Sequence, residues 1–407
     1  MAPMPVTRYL KMALILGLIS AIGPFAIDMY LPALPDIGRS LGAEVGQVQL
    51  TLTVFFLALG SGQILYGPVS DMVGRKPPLY FGLGIFTLAS IGCAFTSDVE
   101  TLIALRFAQG LGAAAGMVIP RAVVRDLHTG TEAARMMSLL MLVFSVSPIL
   151  APLAGSGVIA LAGWRGVFWC VALAAMLGMF LIHRLLKETR GPEQRVASSL
   201  GSALRAYGVL LRDRYFLGLV GISSSAMAGF FVFLAGSPFV LINHYGLTPV
   251  QYSLAFSLNA ISFIGASQFT ATLGKRFGLV RLVKFAASAS GVFMLSLLVF
   301  YLAGGDSLAV LMGLYFLASG FMGLVIPTAS VLALDRHGAI AGTASALMGT
   351  LQMLGGAAAM GIVSLFANGK PLPMVSGMAA GALTGVALTW ITLRGQAPHT
   401  APPVRSD

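Results

Sequence analysis

Twelve apolar stretches, each close to the length that crosses a bilayer, dominate this 407-residue sequence. A helix needs about twenty consecutive apolar residues to cross the hydrocarbon core. Only 10% of the residues are charged, whereas an average soluble domain is about one quarter charged. The sequence therefore predicts an all-α integral membrane protein. The predicted spans are 10–32, 46–68, 78–97, 100–122, 135–161, 165–187, 214–243, 250–273, 281–303, 307–329, 341–367 and 372–393.

Basic residues alternate across these spans in a way that orients the chain. With the N-terminus placed in the cytoplasm, 21 of the 25 Lys and Arg residues fall on the cytoplasmic side. Only Arg39, Arg165 and Lys370 fall outside, and Arg106 lies within a span. Cytoplasmic loops of membrane proteins are rich in Lys and Arg. We therefore expect both termini to be cytoplasmic.

The longest polar stretch divides the spans into two groups of six. We expect an N-terminal bundle over 1–187, a cytoplasmic linker over 188–213, a C-terminal bundle over 214–394 and a cytoplasmic tail over 395–407. An interfacial helix near 200–211 is expected within the linker. The halves also repeat, because Gly116-Met-Val-Ile-Pro120 matches Gly323-Leu-Val-Ile-Pro327 and Ser138-Leu-Leu-Met141 matches Ser345-Ala-Leu-Met348 in one register. Such matches indicate duplicated halves.

A charged turn between the second and third spans carries the most specific motif. It reads Gly67-Pro-Val-Ser-Asp-Met-Val-Gly-Arg-Lys-Pro77 and resembles the signature loop of major facilitator superfamily transporters. The core of the motif is Gly67, Asp71, Gly74 and Arg75. The second half carries only an echo of it, Leu273-Gly-Lys-Arg-Phe-Gly278, with Lys275 where the carboxylate would fall.

The resemblance implies a cytoplasmic gate around this turn. Asp71 is expected near the N-terminus of the eleventh span, and Arg75 is expected to pair with Asp126 at the end of the fourth. A carboxylate at a helix N-terminus and a bidentate arginine pair are both favourable. The gate would open and close as the two halves rock.

Four further segments extend the resemblance to one branch of the superfamily. Together they are similar to drug/proton antiporters with twelve spans, of the bicyclomycin and chloramphenicol resistance type. That resemblance implies the major facilitator fold, with two pseudo-symmetric six-helix bundles. The segments are Ile27-Asp-Met-Tyr-Leu-Pro-Ala-Leu-Pro35, Arg106-Phe-Ala-Gln-Gly-Leu-Gly112, Ser147-Pro-Ile-Leu-Ala-Pro-Leu-Ala-Gly155 and Ala341-Gly-Thr-Ala-Ser345.

Two ionisable residues inside the predicted spans are the candidates for proton coupling. Asp28 lies near the outer end of the first span, and Arg106 lies near the outer end of the fourth, so the two are at similar depth. Burial favours the neutral acid, whereas a nearby arginine favours the carboxylate. We therefore expect Asp28 to carry the proton and help bind substrate, with Arg106 tuning it; a static structural pair is the alternative.

The prolines of the fifth span form the antiporter motif, Pro148, Pro152 and Gly155. They are expected to bend or stiffen the helix and to let it pack closely against a neighbour, with the eighth span as the candidate. Kinking without any coupling role is an equal alternative. An apolar cavity with few polar groups suits promiscuous drug binding. Its candidate lining residues are Tyr30, Gln63, Phe230, Phe231, Phe233, Asn259 and Gln352.

These patterns predict a proton-coupled multidrug efflux antiporter of the bacterial inner membrane, working by alternating access. The expected partners are drugs, protons and lipid, and we expect a monomer with no cofactor and no metal. We expect no nucleic-acid binding, because the residues behind the net charge of +11 form no basic stripe. An uptake symporter for a small metabolite is the alternative. An enzyme or receptor is disfavoured because no catalytic cluster, metal-spaced group or phosphate loop is evident.

Overall fold

A computed structural model describes residues 6–191, 205, 207–337 and 340–394. Within those ranges the chain is helical and contains no strand. A short 3₁₀ helix lies at Leu31–Ala33, and a π-helix lies at Phe239–His244. The helices are α1 (Val6–Asp28), α2 (Leu34–Leu41), α3 (Val45–Val73), α4 (Lys76–Phe95), α5 (Val99–Leu127), α6 (Gly130–Leu185), α7 (Arg214–Pro238), α8 (Pro249–Gln268), α9 (Thr270–Phe277), α10 (Leu279–Leu302), α11 (Leu308–Asp335), α12 (Ala341–Ser364) and α13 (Pro371–Thr392).

The described residues contain ten helices long and apolar enough to cross a membrane, or eleven if the pair α8 and α9, bent by 44°, is one span. Helix α6 has 56 residues, about 84 Å at 1.5 Å per residue, far more than a hydrocarbon core about 30 Å thick. Its backbone leaves the helical conformation at Gly163, where φ is 66°. The helix therefore holds two spans, which matches the predicted fifth and sixth. The all-α membrane fold is confirmed.

The exact ends of the helices depend on capping side chains and glycines, which a hydropathy pattern does not show. At the start of α3, the backbone N–H of Glu44 donates to Gln47 Oε1 at 2.9 Å, which completes a capping box. The same helix ends at Gly74, where φ is 98°. Helices α3 and α5 run several residues past the predicted spans 46–68 and 100–122, because they continue through charged residues at the edge of the membrane.

The chain forms two compact units. The first comprises residues 1–205, 234–257 and 360–370, and in it α3 and α4 pack on α5 while α1 packs on α6. The second comprises residues 206–233, 258–359 and 371–407, and in it α10 packs on α11 and α13. Segments from beyond the predicted linker thus belong to the first unit. More than half of that linker (192–204 and 206), with half of its expected interfacial helix, and the tail 395–407 lie outside the described residues.

The repeated glycines mark close helix contacts. A Cβ atom at Gly116 would lie 2.9 Å from the carbonyl oxygen of Ile19, and one at Gly323 would lie 3.0 Å from the carbonyl carbon of Phe263. Neither neighbour is a flexible side chain, so neither can yield easily. Small residues at such positions let transmembrane helices approach each other.

Replacing Gly323 with valine is therefore expected to destabilise the second unit, since overpacking costs about 1–3 kcal/mol. The matched control is Gly313→Val on the same helix, where a Cβ would meet nothing within 4 Å. The melting temperatures of the two purified variants in detergent test this. Equal melting temperatures would show that the contact at Gly323 tolerates a side chain.

Candidate functional site

Asp28 is the last residue of α1 and is held by the antiporter motif of α6. Its side chain is only 6% exposed, and its Oδ2 accepts a hydrogen bond from Ser147 Oγ at 3.0 Å. The next residue, Met29, packs against Gly155, where a Cβ atom would lie 2.8 Å from the Met29 Cα. The motif therefore encloses the acidic end of α1 from two helical turns of α6.

Arg106 on α5 is completely buried in an aromatic cage. Its guanidinium carbon lies 4.3 Å from the ring centroids of both Tyr30 and Phe55. Its Nη1 donates to Gln109 Oε1 at 2.5 Å and to the Ala26 carbonyl at 3.4 Å. Gln109 in turn donates to Ser90 Oγ at 2.7 Å. Cation–π contacts and neutral acceptors thus replace a carboxylate partner.

The two candidate charges are not paired. Asp28 and Arg106 form no salt bridge, and Arg106 instead touches the backbone two residues before Asp28. The Nε and Nη2 atoms of Arg106 have no hydrogen-bond partner among the described residues. An unpaired cation in a buried site is costly and is retained where function needs it. The expected influence of Arg106 on Asp28 is therefore not supported by a direct contact between the two side chains.

The proline segment of α6 also meets α8. Ser253 Oγ donates to the Pro152 carbonyl and Ser257 Oγ to the Ile149 carbonyl, both at 2.9 Å. The expected neighbour of this segment, the eighth span, is therefore in contact with it. For Gly155 that expectation is wrong, because this residue faces the end of α1 at Met29. The small residue is needed there, since the Met29 backbone approaches too closely for a side chain.

The charged turn forms the ion pair that the resemblance implies. Arg75 donates from Nε to Asp126 Oδ2 at 2.7 Å and from Nη2 to Asp126 Oδ1 at 3.1 Å. Its Nη1 contacts Asp71 and Ser70, both at 2.7 Å. Asp71 also pairs with Arg190 at 3.1 Å. Arg75 is 4% exposed, so the pair is nearly dry and its charges interact strongly.

We name the cluster of Asp71, Arg75, Asp126 and Glu188 the clasp. Glu188, which follows α6, was not predicted from the sequence to belong to it. Its carboxylate accepts the backbone N–H groups of Arg75 at 2.8 Å and Lys76 at 3.0 Å, at the start of α4. Burial raises the pKa of the Glu188 carboxyl, but backbone N–H donors, including those of Thr189 and Arg190, outweigh it and hold the pKa below its usual value. Glu188 therefore ties the first residues of the linker to the charged turn.

The predicted cavity residues fall into different surroundings. Tyr30 is buried and its hydroxyl lies 2.9 Å from Thr51 Oγ1. Gln63, Phe230 and Gln352 are half-buried, and Gln352 Nε2 donates to Ser223 Oγ at 2.9 Å. Three others are buried: Phe231 packs beside Gly356, Phe233 lies 4.1 Å from the Tyr315 ring, and Asn259 Nδ2 contacts Met312 Sδ at 4.0 Å.

A separate cavity lies inside the second unit, among α7, α10, α11 and α13. Its lining combines hydroxyl groups with methionine thioethers, and none of the predicted cavity residues belongs to it. The side chains that characterise it are Ser225, Ser290, Tyr315, Met294, Met322 and Met378. In the described part of the chain no group of His, Cys, Asp or Glu side chains is arranged to hold a metal ion.

Comparison with known proteins places this architecture in a family. The sequence profile described as Major Facilitator Superfamily matches residues 16–360, and the chain belongs to that superfamily. The chain is 36% identical to the MFS-type transporter YdgK of Bacillus subtilis (strain 168), over 88% of this chain and 89% of that protein. The branch suggested by the motifs is confirmed by the names of two further relatives.

One of these is the bicyclomycin resistance protein homolog of Haemophilus influenzae (strain ATCC 51907 / DSM 11121 / KW20 / Rd), 29% identical over 90% of this chain and 92% of that protein. The other is the chloramphenicol resistance protein of Pseudomonas aeruginosa, which is 32% identical over 65% of this chain and 62% of that protein. Among solved structures, the D-xylose-proton symporter superposes with a TM-score of 0.72 at 14% identity, over 96% of this chain and 98% of that one. At that identity the likeness concerns the fold alone.

Glu188→Gln tests the clasp through its pH dependence. A carboxyl whose pKa is lower in the folded than in the unfolded state stabilises the fold above its ordinary value of 4.5 and loses that contribution as the pH falls below it. The variant is therefore expected to melt below the wild type at pH 7. The two melting temperatures should converge as the pH is lowered past 4.5. A difference in melting temperature that stays constant as the pH is lowered would show that the charge of Glu188 does not contribute.

Proposed function

We propose that this chain is a proton-driven drug exporter of the bacterial inner membrane, with both termini in the cytoplasm. Membership of the superfamily supports transport, and the names of the relatives support drugs as the cargo. The observation that carries the proposal is the buried carboxyl group of Asp28, which the antiporter motif holds and which has no basic partner among the described residues.

Asp28 is the proton carrier in this proposal. As a carboxylate it only accepts hydrogen bonds, including the one from the Ser147 hydroxyl group, whereas as a neutral acid it can also donate one. A proton arriving at Asp28 therefore changes the hydrogen bonding between α1 and α6. Carbonyl groups of α6 also accept hydrogen bonds from Ser253 and Ser257 of α8. A shift of α6 would therefore also affect α8, which comes from the second half of the sequence. Proton binding is thereby linked to movement of the helices.

Arg106 supplies a fixed positive charge rather than a salt bridge. Its cage of Tyr30 and Phe55 shields the charge from lipid while leaving two guanidinium nitrogens without acceptors. This permanent charge lies next to the end of α1, because Arg106 Nη1 donates to the Ala26 carbonyl. Substrate is proposed to bind on two half-buried side chains of the second unit, Phe230 and Gln352, which combine an aromatic surface with an amide group.

The clasp is proposed to gate the cytoplasmic side. Asp71, Arg75 and Asp126 form an ion-pair cluster around the buried guanidinium of Arg75, and Glu188 joins the linker to it. Opening the gate would break the bidentate Arg75–Asp126 pair and the Arg75–Asp71 pair, so the closed and open arrangements differ in specific contacts. The placement of Asp71 near the N-terminus of the eleventh span remains a prediction.

Asp28→Asn is expected to abolish drug-driven proton movement, because an amide cannot exchange a proton. Inside-out membrane vesicles energised by respiration test this: adding chloramphenicol should dissipate the pH gradient through the wild type and leave it intact in the variant. Asp36→Asn is the matched control, since that carboxylate, paired with Arg39, is more exposed. Full proton movement in the Asp28 variant would exclude Asp28 as the carrier.

Direction of transport separates the proposal from the uptake alternative. Cells lacking their main exporters should become more resistant to chloramphenicol when they produce the protein, and a protonophore should remove that resistance. Unchanged resistance, together with faster growth on a scarce metabolite, would favour a proton-coupled uptake symporter instead.

Arg75→Ala should slow transport without weakening drug binding, since the Arg75 side chain bonds to Ser70, Asp71 and Asp126 and to none of the proposed drug-binding side chains. Loss of a partner in a buried pair of this strength predicts a fall in transport rate of at least about tenfold. Binding to the purified protein and uptake into inside-out vesicles measure the two effects separately. A selective loss of binding with normal turnover would contradict the gating role.

A further inference from the structure

The second-half echo of the charged turn has become a purely basic surface. Lys275 occupies the position of Asp71, and the neighbouring ends of α9, α10 and α13 add further cations. In the ranges that the structure describes, none of these side chains forms a salt bridge, in contrast to Arg75 in the first half. We name these residues the basic cluster: Lys275, Arg276, Arg281, Lys284 and Arg394.

A contact between α10 and α13 brings the basic residues of these two helices close together. Lys284 on α10 lies with its Nζ 5.3 Å from the centre of the Trp390 ring on α13. The Trp390 indole N–H donates to Ser288 Oγ at 3.3 Å, which fixes the ring across the two helices. Arg281 lies about one turn before Lys284, and Arg394 about one turn after Trp390. Because the helices are antiparallel, both arginines lie toward the same, predicted cytoplasmic, side.

The surface beside the cluster is strongly apolar. Trp390 is 54% exposed, Phe285 64% and Ile391 71%. In a membrane protein such side chains contact lipid, and a tryptophan next to a lysine is typical of the boundary between headgroups and acyl chains. The cluster therefore adjoins the level at which lipid phosphates lie.

We propose that the basic cluster binds an anionic phospholipid of the cytoplasmic leaflet. The headgroup phosphate would lie among Lys284, Arg281 and Arg394, and an acyl chain would follow Phe285 and Ile391. Cations without an acid partner favour a lipid with net negative charge over a zwitterionic one, whose own ammonium group competes with them. The proposal depends on the predicted orientation of the chain and not on its transport activity.

Tryptophan fluorescence tests this directly, because the chain has only three tryptophans. A Trp164→Phe, Trp169→Phe protein keeps Trp390 as its single reporter. It would be reconstituted in phosphatidylcholine vesicles containing either brominated phosphatidylglycerol or brominated phosphatidylcholine, since bromine quenches a contacting indole. Quenching should be greater with the anionic lipid at equal content.

Charge-neutralising variants of the reporter protein supply the control. Arg281→Gln with Lys284→Gln should lower the relative affinity for phosphatidylglycerol roughly tenfold or more, because each cation near an anionic surface contributes appreciably. Arg281→Lys with Lys284→Arg should keep it. Lys370→Gln, on the predicted opposite side, should leave it unchanged.

Equal quenching by the two lipids, or a preference that survives the double neutralisation, would overturn the proposal. Competition by soluble glycerophosphate would also contradict it, since the surface would then bind free phosphate rather than a membrane lipid. Should the tryptophan replacements prevent folding, native mass spectrometry of the wild type and the double-neutralised protein gives the same comparison. Retained phosphatidylglycerol should be seen on the wild type only.

Discussion

Lipid offers no hydrogen-bond partner, so a polar group inside this protein is costly unless it finds a partner on the same helix or on another one. The polar groups near the end of α1 show what that requirement produces. Asp28 is bonded to Ser147 on α6, and Tyr30 to Thr51 on α3. Arg106 reaches the α1 backbone from α5. Four helices of the first unit thus meet at one short segment of chain.

The same requirement gives the antiporter motif its position. Ser147 and Gly155 hold the end of α1, while the Ile149 and Pro152 carbonyls accept the α8 serines. One segment of α6 therefore contacts both the candidate proton carrier and a helix from the other half of the sequence. The charged clasp around Arg75 obeys a different rule, since it is built from ion pairs and a capped helix end.

Much of this architecture follows from the sequence because lipid imposes a strong pattern on it. The spans and the family were predicted, and the Arg75–Asp126 pair is present as the resemblance implies. Ser147 begins one of the quoted segments, but its bond to Asp28 was not predicted, because a serine within an apolar span carries no distinguishing signal. Glu188 was missed because its partners lie 112 and 113 residues earlier in the chain. Similar depth also suggested a link between Asp28 and Arg106, but depth along a helix does not fix direction around it.

The central claim, that Asp28 carries the proton that is exchanged for drug, is tested most directly by proton release on drug binding. Purified protein in a weakly buffered solution would be mixed with chloramphenicol while a pH indicator reports the free proton concentration. Wild-type protein is predicted to release protons in proportion to bound drug, and Asp28→Asn to bind drug without release. Release of equal size from the Asp28→Asn protein would contradict the account.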